Sequence, residues 1–270
     1  MTFSPESTLL TDRVGVVTGA AVGIGAASAI ALARFGAHVA ICDRDRMNLD
    51  LVAAEIEKNG RQVAVGELDV RDREAVDEFI QTTRKQLGEI DVLVNNAGGG
   101  FFSPFVDISE KGQGALVAEN FTSVTNFIRA TVPNMNSAGG SIINITSIEA
   151  HRAGPGFAVY SAMKAAVMSL TKSLALELGP NFIRVNCIAP DVIPTPGIGL
   201  EHGVHTPLPT AGHVDDVAGA VIYLAGSMSR FVTGSTIHVD GGNKAAAGWV
   251  RKDDGSYGLG PDYVSPEGTS

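Results

Sequence analysis

Tyr160 and Lys164, in the run Tyr160-Ser-Ala-Met-Lys164, are the side chains of this sequence best suited to transfer a proton. Residues four positions apart share one face of a helix, so this phenol and this ammonium lie about one turn from each other. A neighbouring cation favours the phenolate and lowers the pKa of a tyrosine, ordinarily about 10, toward neutral pH. A tyrosine tuned in this way can accept a proton from an alcohol or donate one to a carbonyl.

A glycine-rich turn near the start of the chain is suited to binding a diphosphate. Gly19, Gly23 and Gly25, with Ile24 between the last two, follow an apolar strand-like run and precede an Ala-rich helical stretch. A strand, a glycine turn and a helix start bring a diphosphate onto free backbone N–H groups and the positive end of the helix dipole. Turns of this kind also occur without ligands, so the turn alone leaves both interpretations open.

Asp43 ends the second predicted strand, eighteen residues after Gly25. A carboxylate at this position can accept hydrogen bonds from both hydroxyls of an adenosine ribose, and it would repel the extra phosphate of NADP. Arg44 follows and could in principle bind that phosphate, but Asp43 comes first at the strand end. We therefore predict NAD as the cofactor, with NADP as the alternative.

Together with several further motifs, these residues make the chain resemble the short-chain dehydrogenase/reductase family over roughly residues 10–243. The matching positions, in family order, are the turn Thr18–Gly25, Asp69 with Val70, the run Asn95–Gly98, Asn120, Ser147, Tyr160 with Lys164, and the segment Pro190–Thr195. The cofactor contacts that the resemblance implies are the adenine with Asp69 and Val70, the cleft with Asn96, Ala97 and Gly98, and the nicotinamide carboxamide with Ile193 and Thr195.

The resemblance also implies a catalytic set of Asn120, Ser147, Tyr160 and Lys164. Tyr160 would be the acid/base, and Lys164 would lower its pKa and reach the nicotinamide ribose hydroxyls. Ser147, thirteen residues before Tyr160, can hydrogen-bond the substrate oxygen and stabilise the charge that develops there. Asn120 would interrupt a long helix and hold a water that links the lysine to solvent. The hydride chemistry itself belongs to the nicotinamide.

Glu149, His151 and Asp191 are polar positions beside this catalytic set. Glu149 and His151 follow Ser147 by two and four residues, where the family's substrate pocket is lined, so we predict that Glu149 binds substrate. The alternative is that Glu149 only pairs with Arg152 on the surface. Asp191 stands where the family usually has glycine, and it either restricts the backbone near the nicotinamide or places an extra carboxylate at the site mouth.

Alternating strand and helix patterns predict an α/β fold. The strand candidates are 13–18, 37–42, 62–66, 90–94, 140–146, 182–188 and 235–239, and the helix candidates are 23–35, 46–58, 72–86, 112–135, 158–179 and 213–226. Short apolar strands joined by helical crossovers predict a Rossmann-type, doubly wound domain whose seven-stranded parallel sheet carries helices on both faces. Because ligands bind beyond the carboxyl ends of such strands, the predicted site residues share one rim.

We assign residues 1–242 to this single domain and 243–270 to a C-terminal tail that contains Trp249, Tyr257 and Tyr263. The segment 196–212, where the family's substrate lid lies, is short and rich in glycine and proline. Our hypothesis is that the tail packs across the site mouth, of its own subunit or a neighbour's, and replaces part of the lid. The alternative is a solvated, frayed terminus.

Composition limits the class of protein. The 270 residues carry a net charge of −9, which argues against a nucleic-acid or anionic-membrane partner. No signal-peptide pattern and no apolar stretch of roughly 18 residues is present, so we expect a cytoplasmic protein. Cys42 and Cys187 lie in apolar runs and are expected to be buried free thiols. No histidine spacing predicts a metal site.

The sequence thus favours an NAD-dependent oxidoreductase that interconverts a secondary alcohol and a ketone, and the short lid suggests a bulky cyclic or steroid-like substrate. An NADPH-dependent reductase of 3-oxoacyl thioesters on acyl-carrier protein is one alternative, against which Asp43 and the negative net charge weigh. A non-catalytic NAD(P)-sensing protein is another, and the retention of the whole catalytic set weighs against it. Members of the resembled family usually form tetramers, which implies a homotetramer or a homodimer.

Overall fold

A parallel β-sheet forms the centre of the computed structural model, which describes residues 4–196, 206–252 and 255–259. Its seven strands run in the order β3-β2-β1-β4-β5-β6-β7, all parallel. The strands are β1 (Val14–Thr18), β2 (His38–Asp43), β3 (Val63–Glu67), β4 (Val92–Asn95), β5 (Gly140–Ile145), β6 (Ile183–Pro190) and β7 (Thr236–Val239). The predicted doubly wound, seven-stranded parallel sheet is therefore confirmed, with every strand within two residues of its expected limits.

Helices cover both faces of this sheet. They are α1 (Gly23–Arg34), α2 (Arg46–Lys58), α3 (Arg73–Leu87), α4 (Glu110–Val117), α5 (Ser123–Thr131), α6 (Ala158–Leu178), α7 (Val214–Ala225) and the short α8 (Asn243–Ala246). One buried apolar cluster joins the sheet to α1, α2 and α7, and a second, on the opposite face, joins it to α3, α5 and α6. Because both faces are buried, the central strands are continuous apolar runs rather than alternating ones.

The strand order reverses between β1 and β4, which are hydrogen-bonded neighbours although two strands separate them in sequence. In open parallel sheets, the loops that leave the carboxyl ends of two such strands diverge and open a crevice there. Here these loops are the glycine turn after Thr18 and the run that follows Asn95. The topology therefore brings the predicted cofactor segments to one edge of the sheet.

The long helix predicted over 112–135 is interrupted. α4 begins after Ser109, whose hydroxyl accepts a hydrogen bond from the Gly112 backbone N–H at 3.1 Å. Residues Ala118–Thr122 then form a π-helical turn, α5 follows, and a 3-10 turn over Val132–Asn134 ends the segment. Single π-helical turns of this kind are frequent at functional sites because they redirect one side chain.

The C-terminal region contains regular structure that the sequence did not predict. β8 (Trp249–Arg251) and β9 (Tyr257–Leu259) pair antiparallel as a separate two-stranded sheet. The aromatic side chains of Trp249 and Tyr257 are each about half exposed, at 51% and 47%. Tyr263 and most of the short lid lie outside the described residues, so the hypothesis that the tail covers the site mouth stays a prediction.

The two cysteines are buried and free, as predicted. Burial raises the pKa of the Cys187 thiol to about 11, and it raises the pKa of the Cys42 thiol further. Both thiols are therefore protonated at neutral pH and behave as small apolar groups. Among the described helices, none combines the length and the apolar character needed to cross a bilayer.

A buried polar ladder links the sheet to α6. Asn95 Nδ2 donates to Asn144 Oδ1 at 2.8 Å, and Asn144 Nδ2 donates to Thr171 Oγ1 at 2.9 Å. The Cys187 Sγ lies 3.1 Å from the same hydroxyl. Asn144 is completely inaccessible to solvent, so no water can replace these partners without rearrangement of the core. The ladder fixes α6, and with it the catalytic pair, against β4 and β5.

We expect Asn144→Ala to lower the free energy of unfolding by about 3 kcal/mol, because it removes the buried hydrogen bonds of Asn144 with Asn95 and with Thr171. Urea unfolding monitored by circular dichroism measures the change. Gln81→Ala, at an exposed position of α3, is the matched control and should change stability by less than about 0.5 kcal/mol. A loss at Asn144 no larger than that of the control would contradict the structural role given to the ladder.

Candidate active site

The glycine turn after β1 has the geometry that the predicted diphosphate site needs. Gly19 and Gly23 adopt φ values of +63° and +61°, a region that side chains other than glycine rarely occupy. A Cβ on Gly25 would lie 2.1 Å from the Gly19 carbonyl oxygen, so a third glycine is required where α1 begins. No side chain caps the N-terminus of α1, and its first-turn N–H groups face the turn. Ile24, beside them, packs against the core.

Side chains at the ends of β1 and β4 lock this turn in place. The Thr18 hydroxyl accepts hydrogen bonds from the backbone N–H groups of Asn96 at 3.0 Å and Ala97 at 2.9 Å. In return, the Asn96 Nδ2 donates to the carbonyl oxygens of Thr18 at 3.0 Å and Gly19 at 2.9 Å. Sequence reasoning assigned Asn96 and Ala97 to the cleft but gave Thr18 no role of its own, although it opens the quoted motif.

Asp43 lies at the carboxyl end of β2, directly across from the glycine turn. Its Oδ2 accepts a hydrogen bond from the Ala21 N–H at 3.2 Å, and its Oδ1 accepts from the Arg44 N–H at 2.7 Å and the Asp45 N–H at 3.2 Å. The carboxylate is therefore held beside the turn rather than free in solvent. The Arg44 guanidinium lies 3.9 Å from the carboxylate of Glu119 in the π-helical turn.

Asp69 and Val70 follow β3 on the same edge of the sheet. Both oxygens of the Asp69 carboxylate accept hydrogen bonds from the Arg71 side chain, with Nε at 2.9 and 3.0 Å. These hydrogen bonds to Arg71 hold the pKa of Asp69 low, at about 2. Val70 is half-buried against the core cluster on the α3 face. Arg71 was not identified from the sequence, because an aspartate and an arginine two residues apart carry no pattern of their own.

Lys164 carries the most buried charge of the site. Its side chain is only 4% exposed, and its Nζ donates to the carbonyl oxygen of Ile145, the last residue of β5, at 3.0 Å. A Cβ on Gly98 would lie 3.0 Å from the same nitrogen, so the glycine lets the backbone approach the ammonium. Burial lowers the pKa of Lys164 to about 8. The ammonium thus faces the loop after β4, where the cofactor cleft was predicted.

Asn120 occupies the π-helical turn and is completely buried. Its Nδ2 donates to the carbonyl oxygens of Gly99 at 2.8 Å and Leu116 at 3.0 Å, and its Oδ1 accepts from the Gly99 N–H at 3.1 Å. The interruption of the helix that the resemblance implied is therefore present at this residue. The side chain ties α4 to the loop after β4, and its role as a water holder stays a prediction.

Tyr160 and Ser147 are brought together, but the pKa of the tyrosine moves opposite to our expectation. The Ser147 hydroxyl lies near the Tyr160 hydroxyl, where it lowers the pKa of the tyrosine by favouring the phenolate. Burial is the larger influence and, with the negative charge of Glu149, raises the pKa of Tyr160 above its ordinary value. The Lys164 Nζ lies 5.6 Å from the centre of the phenol ring and donates to Ile145 instead. The predicted lowering by the lysine is therefore wrong for the protein without cofactor.

Glu149 and His151 occupy the loop that follows Ser147. Glu149 Oε1 accepts hydrogen bonds from Arg152 Nε at 3.1 Å and Nη2 at 2.9 Å, so the ion pair considered from the sequence exists. Its other oxygen, Oε2, is buried and makes no hydrogen bond. The His151 ring packs against His238 of β7 with ring centres 4.5 Å apart. Burial lowers the pKa of His151, so it is neutral at neutral pH.

The segment after β6 returns to the glycine turn. Asp191 does not adopt a positive φ, so its backbone is not strained. Restriction of backbone freedom near the nicotinamide stays a prediction. The Asp191 side chain is 9% exposed and interacts with Arg152 at 3.3 Å and Asn243 at 2.6 Å. Ile193 is buried in the core. A Cβ on Gly23 would lie 3.1 Å from the Thr195 methyl group, which places Thr195 over the turn.

An aromatic wall beside Tyr160 was not identified from the sequence. Gly100 packs so closely on the phenol ring that a Cβ there would lie 3.1 Å from it. The Phe157 ring contacts both Tyr160 and Phe102 edge to face, with ring centres 6.4 and 5.8 Å apart. Phe102 is 71% exposed and Phe101 is 46% exposed. The only signal was a run of aromatics after Gly100, which periodicity did not distinguish from an ordinary loop.

The described residues fit a dinucleotide with a nicotinamide end. The uncapped start of α1 and the space that a Cβ on Gly25 would fill suit a diphosphate, and Asp43 stands beside that turn as a ribose acceptor would. At the other end of the crevice, Lys164 offers a buried donor and Tyr160 a half-buried hydroxyl. When bound, the nicotinamide would supply hydride chemistry.

A family model and curated relatives match this chain in sequence. The family model described as enoyl-(acyl carrier protein) reductase matches residues 19–244. Over 241 residues, the chain is 36% identical to a 3-oxoacyl-(acyl-carrier-protein) reductase of Thermotoga maritima, covering 86% of this chain and 98% of that relative. The residues that the family model matches include Gly19, Gly23, Gly25 and the Tyr160–Lys164 pair.

Solved structures are equally similar. A 7α-hydroxysteroid dehydrogenase complexed with NADH and 7-oxo glycochenodeoxycholic acid superposes with a TM-score of 0.85 at 30% identity, covering 89% of this chain and 98% of that one. A blue fluorescent protein from a metagenomic library, in complex with NADPH, superposes with a TM-score of 0.82 at 33% identity, covering 86% and 98%.

We expect Lys164→Met to raise the free energy of unfolding at pH 7, because burial of the ammonium destabilises the folded wild-type protein. A pKa of about 8 instead of 10.5 corresponds to roughly 3 kcal/mol. Since this penalty is present below pH 8 and disappears as the pH rises to 10.5, the difference between variant and wild type should close over that window.

Urea unfolding at pH 7 and at pH 10 measures this difference. Lys172→Met, at an exposed position of the same helix, is the matched control and should change stability little at either pH. A Lys164→Met variant less stable than wild type at pH 7 would contradict this prediction, because it would show that the buried ammonium stabilises the folded protein.

Proposed function

Because the chain belongs to the short-chain dehydrogenase/reductase family of NAD(P)-dependent oxidoreductases, we propose that it interconverts a secondary alcohol and the corresponding ketone. The observation that carries the proposal is the meeting of Ser147, Tyr160 and Lys164 at the carboxyl edge of the sheet, beside the loop after β4. Asn120 completes the set by fixing that loop.

Tyr160 is the proton carrier in this proposal. Its hydroxyl would donate a proton to the ketone oxygen in reduction and accept one from the alcohol in oxidation. A phenol with a raised pKa is protonated at neutral pH, which suits donation, and oxidation should then be favoured at alkaline pH. Ser147 would hydrogen-bond the same substrate oxygen. Lys164 would hold the nicotinamide ribose.

We assign NAD as the preferred cofactor on the position of Asp43. The carboxylate is fixed by three backbone N–H groups beside the glycine turn, so it cannot swing away from an incoming phosphate. A phosphate placed against it would bring two anions together, which costs several kcal/mol. Arg44, the residue that could offset this repulsion, lies near Glu119. The contacts with Asp69, Val70, Ile193 and Thr195 complete the proposed cofactor site.

A bulky cyclic or steroid-like alcohol is the substrate that the surroundings of Tyr160 support best. The exposed Phe102 ring packs on Phe157, which in turn contacts the phenol, and apolar rings bury well against such surfaces. A solved structure similar to this chain contains a ketone of a bile acid. Glu149 would contact the polar end of such a substrate.

Reduction of 3-oxoacyl thioesters is the second candidate, favoured by the relative from Thermotoga maritima. An acidic carrier protein would have to approach a chain with a net charge of −9, which weighs against it. Non-catalytic sensing of NAD(P) is not favoured, because it requires none of the Ser147–Tyr160 geometry. We further propose a cytoplasmic homotetramer or homodimer, the assembly that the family resemblance suggests.

Tyr160→Phe should lower turnover by about 10²–10⁴-fold and leave NADH binding nearly unchanged, because only the hydroxyl is removed. Secondary alcohols and ketones, bulky cyclic ones included, are assayed by NADH absorbance, and NADH binding is measured by fluorescence titration. Tyr223→Phe, on the outer helix α7, is the control and should retain full activity. Wild-type activity retained by Tyr160→Phe would refute the acid/base assignment.

Asp43→Ser should shift the ratio of kcat/KM for NAD to that for NADP by at least about tenfold toward NADP, since it removes the repelling carboxylate. The exposed Asp77→Ser variant on α3 carries the same change in net charge and should leave the ratio unchanged. A variant at position 43 that keeps the wild-type preference would show that another group selects the cofactor.

A further inference from the structure

We propose that Arg152, held between the carboxylates of Glu149 and Asp191, is a positioning residue that sets the pH range over which Tyr160 exchanges its proton. The proposal rests on the function proposed above, in which Tyr160 carries the proton. It assigns a purpose to Asp191, the residue that stands where the resembled family usually has glycine. Arg152 itself need not touch substrate or cofactor.

The geometry of this group, which we call the 149–152–191 chain, is well defined. Arg152 Nη2 lies 2.9 Å from Glu149 Oε1 and 3.3 Å from Asp191 Oδ1, so one guanidinium joins two carboxylates. The carboxylates are more buried than the guanidinium, with Glu149 at 21% and Asp191 at 9% side-chain exposure against 39% for Arg152. Buried carboxylates interact with their partner more strongly than the exposed ion pairs elsewhere on the surface.

The Glu149 end of the 149–152–191 chain is coupled to Ser147 and Tyr160. The Glu149 N–H donates to Ser147 Oγ at 3.1 Å, and the Ser147 hydroxyl lies near that of Tyr160, where it favours the phenolate. Two atoms flank the position of a Cβ on Gly154: Glu149 Oε2 at 2.8 Å and Ser161 Oγ at 2.6 Å. Ser161 is the next residue after Tyr160 on α6. The free oxygen of Glu149 therefore lies against the first turn of the catalytic helix.

The Asp191 end of the 149–152–191 chain anchors the loop after β5 to neighbouring segments at the carboxyl edge of the sheet. Asp191 Oδ2 accepts a hydrogen bond from Asn243 Nδ2 at 2.6 Å, and the Asp191 N–H donates to the Val239 carbonyl at 3.1 Å. Asp191 thus joins the loop after β5, the end of β6 and the start of α8. Glycine at this position could form neither side-chain contact, so Arg152 would lose one of its two anionic partners.

The charges of the 149–152–191 chain influence the protonation of Tyr160. The negative charge of Glu149 favours the neutral phenol, and the guanidinium of Arg152 offsets part of that effect. The other charged group near the phenol is Lys164, whose Nζ lies 5.6 Å from the ring centre and donates to the Ile145 carbonyl. The neighbours Phe157 and Gly100 carry no charge. Asp191 holds Arg152 in place and offsets its positive charge. The two carboxylates and one guanidinium of the 149–152–191 chain therefore carry one net negative charge near the site.

The test is the pH dependence of kcat/KM for alcohol oxidation in three variants. Arg152→Met leaves both carboxylates uncompensated and should raise the pH midpoint by about half a unit. Glu149→Gln removes the negative charge beside the phenol and should lower the midpoint by a similar amount. Arg152→Lys keeps the charge and should keep the midpoint near wild type, although an ammonium cannot join both carboxylates as the planar guanidinium does.

Arg84→Met, which breaks the exposed pair with Glu89 near the start of β4, is the control and should leave the profile unchanged. Circular dichroism verifies that each variant is folded, and Glu149→Gln supplies the test if Arg152→Met does not fold. Unshifted midpoints, shifts of the same sign in Arg152→Met and Glu149→Gln, or a change confined to KM would overturn the proposal. An inactive wild type, or an active Tyr160→Phe variant, would instead refute the proposed function on which it rests.

Discussion

The burial of one ammonium group is the constraint on which this site depends. Lys164 is almost inaccessible to solvent and its Nζ hydrogen-bonds a single backbone carbonyl, that of Ile145. Such a group destabilises a folded protein unless a ligand or a neighbouring charge compensates it. The loop after β4 approaches the ammonium closely, because Gly98 has no side chain and a Cβ there would lie 3.0 Å from Nζ. The Lys164 ammonium is thus positioned to interact with a bound ligand, and its burial lowers the stability of the folded protein in favour of function.

Hydrogen bonds hold the loops around the Lys164 ammonium rigid. Thr18, Asn96 and Asn120 use their side chains to satisfy backbone groups of loops that belong to no helix or strand. The glycine turn, the loop after β4 and the π-helical turn are thereby tied to each other across the end of the sheet. A site held in this way loses little entropy when a cofactor binds, which is the advantage of preorganisation.

Local patterns in the sequence were sufficient for the seven-stranded sheet, but not for the C-terminal strand pair β8–β9. Each strand is an apolar run between turn residues, and the glycine turn and Asp43 stand at strand ends, so their common edge followed from topology alone. The direction of the Tyr160 pKa did not follow. The spacing of Tyr160 and Lys164 identifies a cation one turn away, whereas burial of the phenol also depends on Gly100, which is distant in sequence and packs on the ring. Contacts of Asp191 with Arg152 and Asn243 span 39 and 52 residues, and no local pattern encodes them.

The most direct measurement of the central claim is a crystal structure of the wild-type protein with NADH bound. We predict the Lys164 ammonium within hydrogen-bond distance, roughly 2.7–3.2 Å, of the nicotinamide ribose, with its contact to Ile145 retained and the Tyr160 hydroxyl facing the nicotinamide. A cofactor whose ribose leaves the ammonium unpaired, or whose nicotinamide binds away from Tyr160, would contradict it.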